Sequence, residues 1–189
     1  MTRTLSLGIA ATLFSCVLPA VFAAAPPAVG DKAPDFSLPT FDGKSKQFSQ
    51  LAADRTTVLL VLRGYPGYQC PFCTRQFRDF LQNSAAFAHA GARVVFVYPG
   101  PPARLADRAT EFLGSTRLPE HFDLLIDPDY TFTNRYGLRW DANGETAYPA
   151  TFVLDPTGTI IFEKISRSHG GRTSATEILE VLPKTKMAR

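Results

Sequence analysis

The chain reads as an α/β protein, a mixed central β-sheet with helices on both faces and a short N-terminal β-hairpin extension. Three observations predict this. Val58 to Leu62 and Val94 to Tyr98 are apolar runs of strand length on either side of a helical pattern, which makes a strand, helix, parallel strand unit. The alternation then repeats, with a helix opened by Pro101 and Pro102 that runs through Phe112 and Leu113 to a strand at Phe122 to Ile126. Finally, Thr151 to Leu154 and Thr159 to Glu163 surround Pro156-Thr157-Gly158, a hairpin signal, and a terminal helix follows.

In chain order, residues 1–23 read as a secretory signal. Arg3 supplies a positive start, Leu5 to Leu18 an apolar core, and Val21-Phe22-Ala23 a small-residue cleavage site after Ala23. A membrane anchor is disfavoured, because Thr12, Ser15 and Pro19 break the run and it falls short of the ~20 apolar residues a span needs. Leu13-Phe14-Ser15-Cys16 loosely resembles a bacterial lipobox, with Phe14 bulky for its position, so lipid anchoring at Cys16 is the minor alternative to a periplasmic or secreted protein. Residues 24–29, rich in Ala and Pro, form a flexible lead-in, and one domain spans 30–189.

Within the domain, Asp35 to Leu38 and Lys46 to Phe48 flank Asp42-Gly43 and should pair as the first hairpin. After the Val58 strand, Phe77, Phe80, Leu81, Ser84 and Phe87 recur at helical spacing between Thr74 and His89, and Gly91 stops the helix. Asp127-Pro128 turns the chain after the Phe122 strand. Ile178, Leu179, Val181 and Leu182 give the last helix an apolar face, with Thr173 or Ser174 as its N-cap. The 15 Phe supply much of the core. The net charge of +3 comes from interspersed residues with no basic block, so nucleic acid is not suggested.

Cys70-Pro71-Phe72-Cys73 lies between the Val58 strand and the helix, so both thiols fall in a first helical turn. There the orphan N–H groups and the positive dipole end favour a thiolate, and a two-residue gap lets a disulfide close with little movement. With Cys16 removed alongside the signal, these are the only cysteines left for a redox cycle. A zinc ribbon or finger would need a second Cys/His pair, which His89, His121 and His169 do not provide.

The order of elements, with CxxC at the first helix, resembles the thioredoxin fold. Gly30-Asp31-Lys32-Ala33-Pro34-Asp35-Phe36, Asp42-Gly43-Lys44, Leu51, Tyr136-Gly137 and Thr151-Phe152-Val153-Leu154-Asp155 with Gly158 extend the likeness. They resemble the alkyl hydroperoxide reductase and thiol-specific antioxidant (AhpC/TSA) redoxins, in order, from Gly30 to Leu182. In the peroxiredoxin frame of this superfamily, Pro66 and Cys73 match the motif proline and the peroxidatic position, and Cys70 replaces the hydroxyl residue between them. Where the family places an arginine before its Thr-Phe strand, this chain has Pro149. Arg63, Arg75 and Arg139 are the candidates to replace that charge, with Arg75 preferred.

The resemblance implies a peroxiredoxin-like antioxidant redoxin. Cys73 attacks a hydroperoxide, becomes a sulfenic acid and condenses with Cys70, and a thioredoxin-like or membrane-linked thiol reductant reopens the disulfide. The alternative is a thiol–disulfide oxidoreductase acting on protein disulfides, with Cys70 as nucleophile and Tyr148 and a cis-Pro149 bordering the substrate groove. A third, weaker reading gives Cys70, Cys73 and His169 to Cu(I), as in copper chaperones of similar fold. No organic cofactor or resident metal is implied, and the oligomeric state is open. The polar stretch from Trp140 to Ala147 reads as a surface excursion.

Overall fold

A computed structural model describes residues 24–182, so the signal segment and Cys16 lie outside the described residues. Seven strands and six helices follow one another there: β1 Ser37–Pro39, β2 Ser45–Gln47, α1 Phe48–Ala52, β3 Thr57–Val61, α2 Pro71–Gln82, α3 Ser84–His89, β4 Arg93–Gly100, α4 Leu105–Leu113, β5 Phe122–Pro128, α5 Thr131–Arg135, β6 Ala150–Leu154, β7 Ile160–Ile165 and α6 Ala175–Val181. Strands β1 and β2 pair as a separate antiparallel ribbon, and the main sheet has the order β5-β4-β3-β6-β7. Within it β3 is parallel to β4 and β4 to β5, whereas β6 runs antiparallel to both β3 and β7. This is the mixed sheet of a thioredoxin fold.

The period-2 alternation of β3 divides the core between the two faces. Val58, Leu60 and Leu62 join Phe77, Phe80 and Phe96 under α2, α4 and α6, while Leu59 and Val61 join Phe132, Tyr136 and Phe152 on the other side. All five residues of β3 are buried, as a strand covered on both faces requires. Rings dominate both layers: Phe77 meets Phe96 edge-on at 5.0 Å, and Phe36 stacks on Phe48 at 4.6 Å. Such pairs add about 0.5–1.5 kcal/mol each beyond their buried area.

The departures from expectation are local. The single helix expected from Thr74 to His89 is two, because the Asn83 side chain takes the Asp79 carbonyl at 2.8 Å and its backbone leaves helical geometry. Phe48 was expected to end a strand; it opens α1 instead, its N–H donating to the Phe36 carbonyl at 2.8 Å. Helix α4 begins at Leu105, after Arg104 in a left-handed conformation, and not at the preceding prolines. Ser174 is the cap of α6, accepting the Glu177 N–H at 3.1 Å. No helix among the described residues is long and apolar enough to cross a membrane.

Strand β4 continues to Gly100 beyond the Val61–Val97 pair that ends β3, and the chain leaving β3 stays beside it, the Leu62 N–H donating to the Val97 carbonyl at 2.9 Å. Gly64 makes that close approach possible. Its φ is +73°, and a Cβ there would stand 1.9 Å from the Pro99 carbonyl oxygen, which accepts the Tyr65 N–H at 2.9 Å. The tight passage brings the start of α2 back over the end of the sheet. In open α/β sheets this is where ligands bind.

Candidate active site

Cys70 is the N-cap of α2, Pro71 is its first residue and Cys73 lies in its first turn. Both thiols are free and buried, Cys70 with 1% of its surface exposed and Cys73 with none. Their environments separate them. The Cys73 thiol hydrogen-bonds to the Cys70 sulfur and is the largest influence on it; burial opposes ionisation, but the Cys73 N–H, the Arg172 charge and the Arg63 guanidinium add to the pull. Together they draw the Cys70 pKa down to about 5. Cys73 moves the other way, since full burial and the donated hydrogen bond to Cys70 hold it well above the usual thiol range.

The resting reduced pair is thus a Cys70 thiolate beside a neutral Cys73 thiol. This ordering runs opposite to the frame reading that puts the first attack on Cys73. The reason is positional, because the cap sulfur receives the Cys73 N–H and the Arg63 guanidinium, while Cys73, in the first turn, is fully buried. We expect thiolate ultraviolet absorbance in the reduced protein to titrate with a midpoint near 5, and Cys70→Ser to remove that transition. A midpoint near the ordinary value of about 8.5 would mean that the polar contacts do not outweigh burial.

Arg63 hydrogen-bonds to the Cys70 sulfur. It is 3% exposed, and its Nε binds Glu145 Oε2 at 2.5 Å, Nη1 donates to Tyr68 Oη at 2.8 Å and Nη2 to the Gly144 carbonyl at 2.6 Å. The second Glu145 oxygen meets His169 Nε2 at 2.9 Å. Burial pushes the Glu145 carboxyl up, yet the bonds from Arg63 and His169 outweigh it and hold the group below the usual range. Trp140 stacks on Tyr148 at 4.8 Å and leans on His169 at 5.3 Å, which joins the loop before β6 to the loop after β7.

Three expectations change accordingly. The Trp140 to Ala147 segment is no idle excursion, because it delivers Glu145 to Arg63 beside the thiolate. His169 is engaged by Glu145, and no cluster of three or more His, Cys, Asp or Glu among the described residues is arranged to hold a metal, so the Cu(I) grouping with Cys70 and Cys73 is not formed. The Tyr148–Pro149 bond is trans, as are all peptide bonds among the described residues; Pro149 is buried, and its carbonyl accepts the Ser166 N–H at 2.8 Å.

Of the remaining candidates, Pro66 sits in the bend before the pair and Tyr148 lies half-buried between Trp140 and the Arg167 guanidinium, 4.7 Å from its ring. Arg75 is exposed and packs over the Phe72 ring at 4.8 Å, away from the sulfurs' immediate partners. Arg139 closes its own loop, donating to the Trp140 and Thr146 carbonyls at 2.6 Å each. The cations that act on Cys70 are Arg63, one of the sequence candidates, and Arg172, which sequence reasoning missed. Arg172 stands just before a helix cap, and nothing local marks it as reaching across to α2.

A model of the AhpC/TSA family matches residues 29–163. A Mycobacterium tuberculosis protein provisionally named as a peroxiredoxin is 34% identical over 137 residues, 70% of this chain and 81% of that one. Among solved structures, peroxidoxin BcpB from Mycobacterium tuberculosis has 25% identity and a TM-score of 0.63, over 82% of this chain and 95% of that one. A Chlorobium tepidum protein provisionally named as thiol:disulfide interchange protein DsbE also has 25% identity, with a TM-score of 0.60 over 82% of this chain and 99% of that one.

Proposed function

The chain belongs to the AhpC/TSA family, and on that premise we propose that it is an exported, thiol-dependent peroxidase, an antioxidant redoxin working through Cys70 and Cys73. The carrying observation is the Cys70 sulfur at the cap of α2, only 1% exposed, with the Cys73 thiol and the Arg63 guanidinium hydrogen-bonded to it and drawing its pKa down. A hydroperoxide needs far less room at such a sulfur than a protein disulfide, which would have to part the loops that bury it. The peroxiredoxin names of the relatives agree with this reading.

In the proposed cycle the Cys70 thiolate attacks the terminal oxygen of the hydroperoxide. The S–O bond forms as the O–O bond breaks, Cys70 is oxidised to a sulfenic acid, and the leaving alkoxide takes the proton of Cys73. The Cys73 thiolate then attacks the Cys70 sulfur, and the hydroxide that leaves is protonated by solvent, giving an alcohol, water and a Cys70–Cys73 disulfide. A thioredoxin-like or membrane-linked dithiol reduces the disulfide. Export, read from residues 1–23, places the cycle where reduced thiols need a dedicated electron source.

Disulfide exchange is the second reading, favoured by a CxxC whose first thiol is the acidic one and by the DsbE likeness. Stopped-flow mixing of the reduced mature protein separates the two. We expect oxidation by hydrogen peroxide at about 10⁴ M⁻¹ s⁻¹ or faster, the lower end of enzymatic efficiencies, and slow exchange with a scrambled protein disulfide. Slow peroxide oxidation alongside rapid exchange would make the protein a disulfide oxidoreductase.

A further inference from the structure

We propose that Gln69 is a positioning residue for Cys70: with Tyr98 it clamps the loop before α2 to β4 and α4, so that the Cys70 sulfur stays where the Cys73 N–H and the Arg63 guanidinium reach it. The inference rests on the reading of Cys70 as the reacting sulfur. Gln69 immediately precedes Cys70, and both ends of its side-chain amide are engaged. Its Oε1 accepts the Tyr98 hydroxyl at 2.8 Å, and its Nε2 donates to the Arg108 carbonyl at 2.8 Å. Tyr98 belongs to β4 and Arg108 to α4. One side chain thus ties the residue before the nucleophile to two elements of the core.

The loop has little else to hold it. Its last backbone bond to the sheet runs from the Tyr65 N–H to the Pro99 carbonyl, and the next backbone bond joins the Thr74 N–H to the Cys70 carbonyl within α2. Among the described residues, no backbone–backbone hydrogen bond involves Pro66 to Gln69. Gly67 stands there at φ +124°, and Tyr68, 51% exposed, bonds only back to Arg63 in the same loop. A stretch without backbone pairing opens easily unless side chains fasten it. Tyr98 provides a fixed point: it is fully buried, and its ring packs on Phe112 at 5.1 Å. Its hydroxyl needs an acceptor, which Gln69 supplies, so the bond serves both residues. The hydrogen bonds that draw down the Cys70 pKa are directional and weaken steeply with misalignment, so they outweigh burial only while the sulfur keeps its place.

The test follows the ionisation of Cys70 in wild type, Gln69→Met, Tyr98→Phe and the double variant. Gln69→Met keeps the length of the side chain and Tyr98→Phe keeps the buried ring. Neither removes a charge, because burial pushes the Tyr98 phenol up and keeps it neutral, while Arg63, Arg172 and Cys73 stay in place. We expect the thiolate absorbance midpoint of Gln69→Met to rise by at least about one unit toward the ordinary value of about 8.5. At a pH of about 5, where wild type is half ionised, that leaves about a tenth as thiolate, so iodoacetamide alkylation should slow about fivefold. Well above both midpoints the two rates should converge. Tyr98→Phe should shift the midpoint the same way by less, since the bond to Arg108 remains, and the double variant should match Gln69→Met because both changes undo one clamp. A folded Gln69→Met variant whose midpoint does not move, whatever stability it has lost, would overturn the positioning role. A double variant in which the two shifts add would likewise overturn the clamp. Neither readout uses peroxide, so failure of the clamp and failure of the peroxidase reading are told apart.

Discussion

Replacing Cys70 with serine is expected to stop peroxide oxidation, lowering its rate by at least about 10⁴-fold, the scale seen when a nucleophile is removed. Cys73→Ser should keep the first oxidation and lose the second step. The argument is one of protonation and reach. A thiol reacts as its thiolate, and of the two sulfurs Cys70 is the one whose pKa is drawn down, with Arg63 hydrogen-bonded to it, while burial holds Cys73 up. In Cys73→Ser the hydroxyl still donates to Cys70, so attack proceeds at a rate within about tenfold of wild type. The sulfenic acid then persists, because no second sulfur can condense with it, and a dimedone adduct on Cys70 reports it by mass. The opposite pattern, fast oxidation surviving in Cys70→Ser and lost in Cys73→Ser, would put the attack on the buried thiol. In that case substrate binding must expel the Cys73 proton.

How far the sequence reached can be traced along α2. The spacing of Phe77, Phe80 and Phe87 located a helix because a packed face repeats every three or four residues, and the two thiols at its start followed from the strand before it. The break at Asn83 left no periodic trace. A single amide bonding its own helix is a matter of rotamer, and it shifts the pattern too little to be read. The sulfurs' roles were harder still. The motif frame ranks them by position, whereas the structure ranks them by which one caps the helix and which one enters the core. Arg172, Glu145 and His169 come from loops 70 or more residues beyond the pair and reach it only through the closure of β6 and β7 on β3. No local pattern encodes such a meeting, and each of these residues, taken alone, has an ordinary surface reading. The β1–β2 ribbon was legible from Asp42-Gly43, because a left-handed turn selects for glycine, here at φ +83°.

Glu145→Ala should be the most damaging change outside the cysteines, and its two effects should point in opposite directions. Stability falls because Arg63, 3% exposed, loses the carboxylate that compensates its charge, and its remaining bonds to Tyr68 and Gly144 are to neutral oxygens. Breaking a buried pair from one side costs roughly 3–5 kcal/mol, and the 12% exposure of the Glu145 side chain places this one at the lower end. The released charge, however, sits beside Cys70, so the thiolate should be held more firmly and its pKa should drop further. A variant that unfolds in less denaturant while its Cys70 titrates at lower pH is the expected result. Glu145→Gln keeps two polar atoms in place and should lose less stability, while Arg63→Met added to Glu145→Ala should recover part of the loss by removing the stranded charge. The pH dependence follows with the same sign as for any depressed carboxylate. The folded Glu145 pKa lies below its ordinary value, so its contribution is complete above that ordinary value, about 4.3. It is lost as pH falls through the lower folded one. Wild type and Glu145→Gln should therefore converge in stability on acidification, and a constant gap between them down to strongly acid pH would mean that packing of the side chain, not its charge, holds the loop over the thiolate.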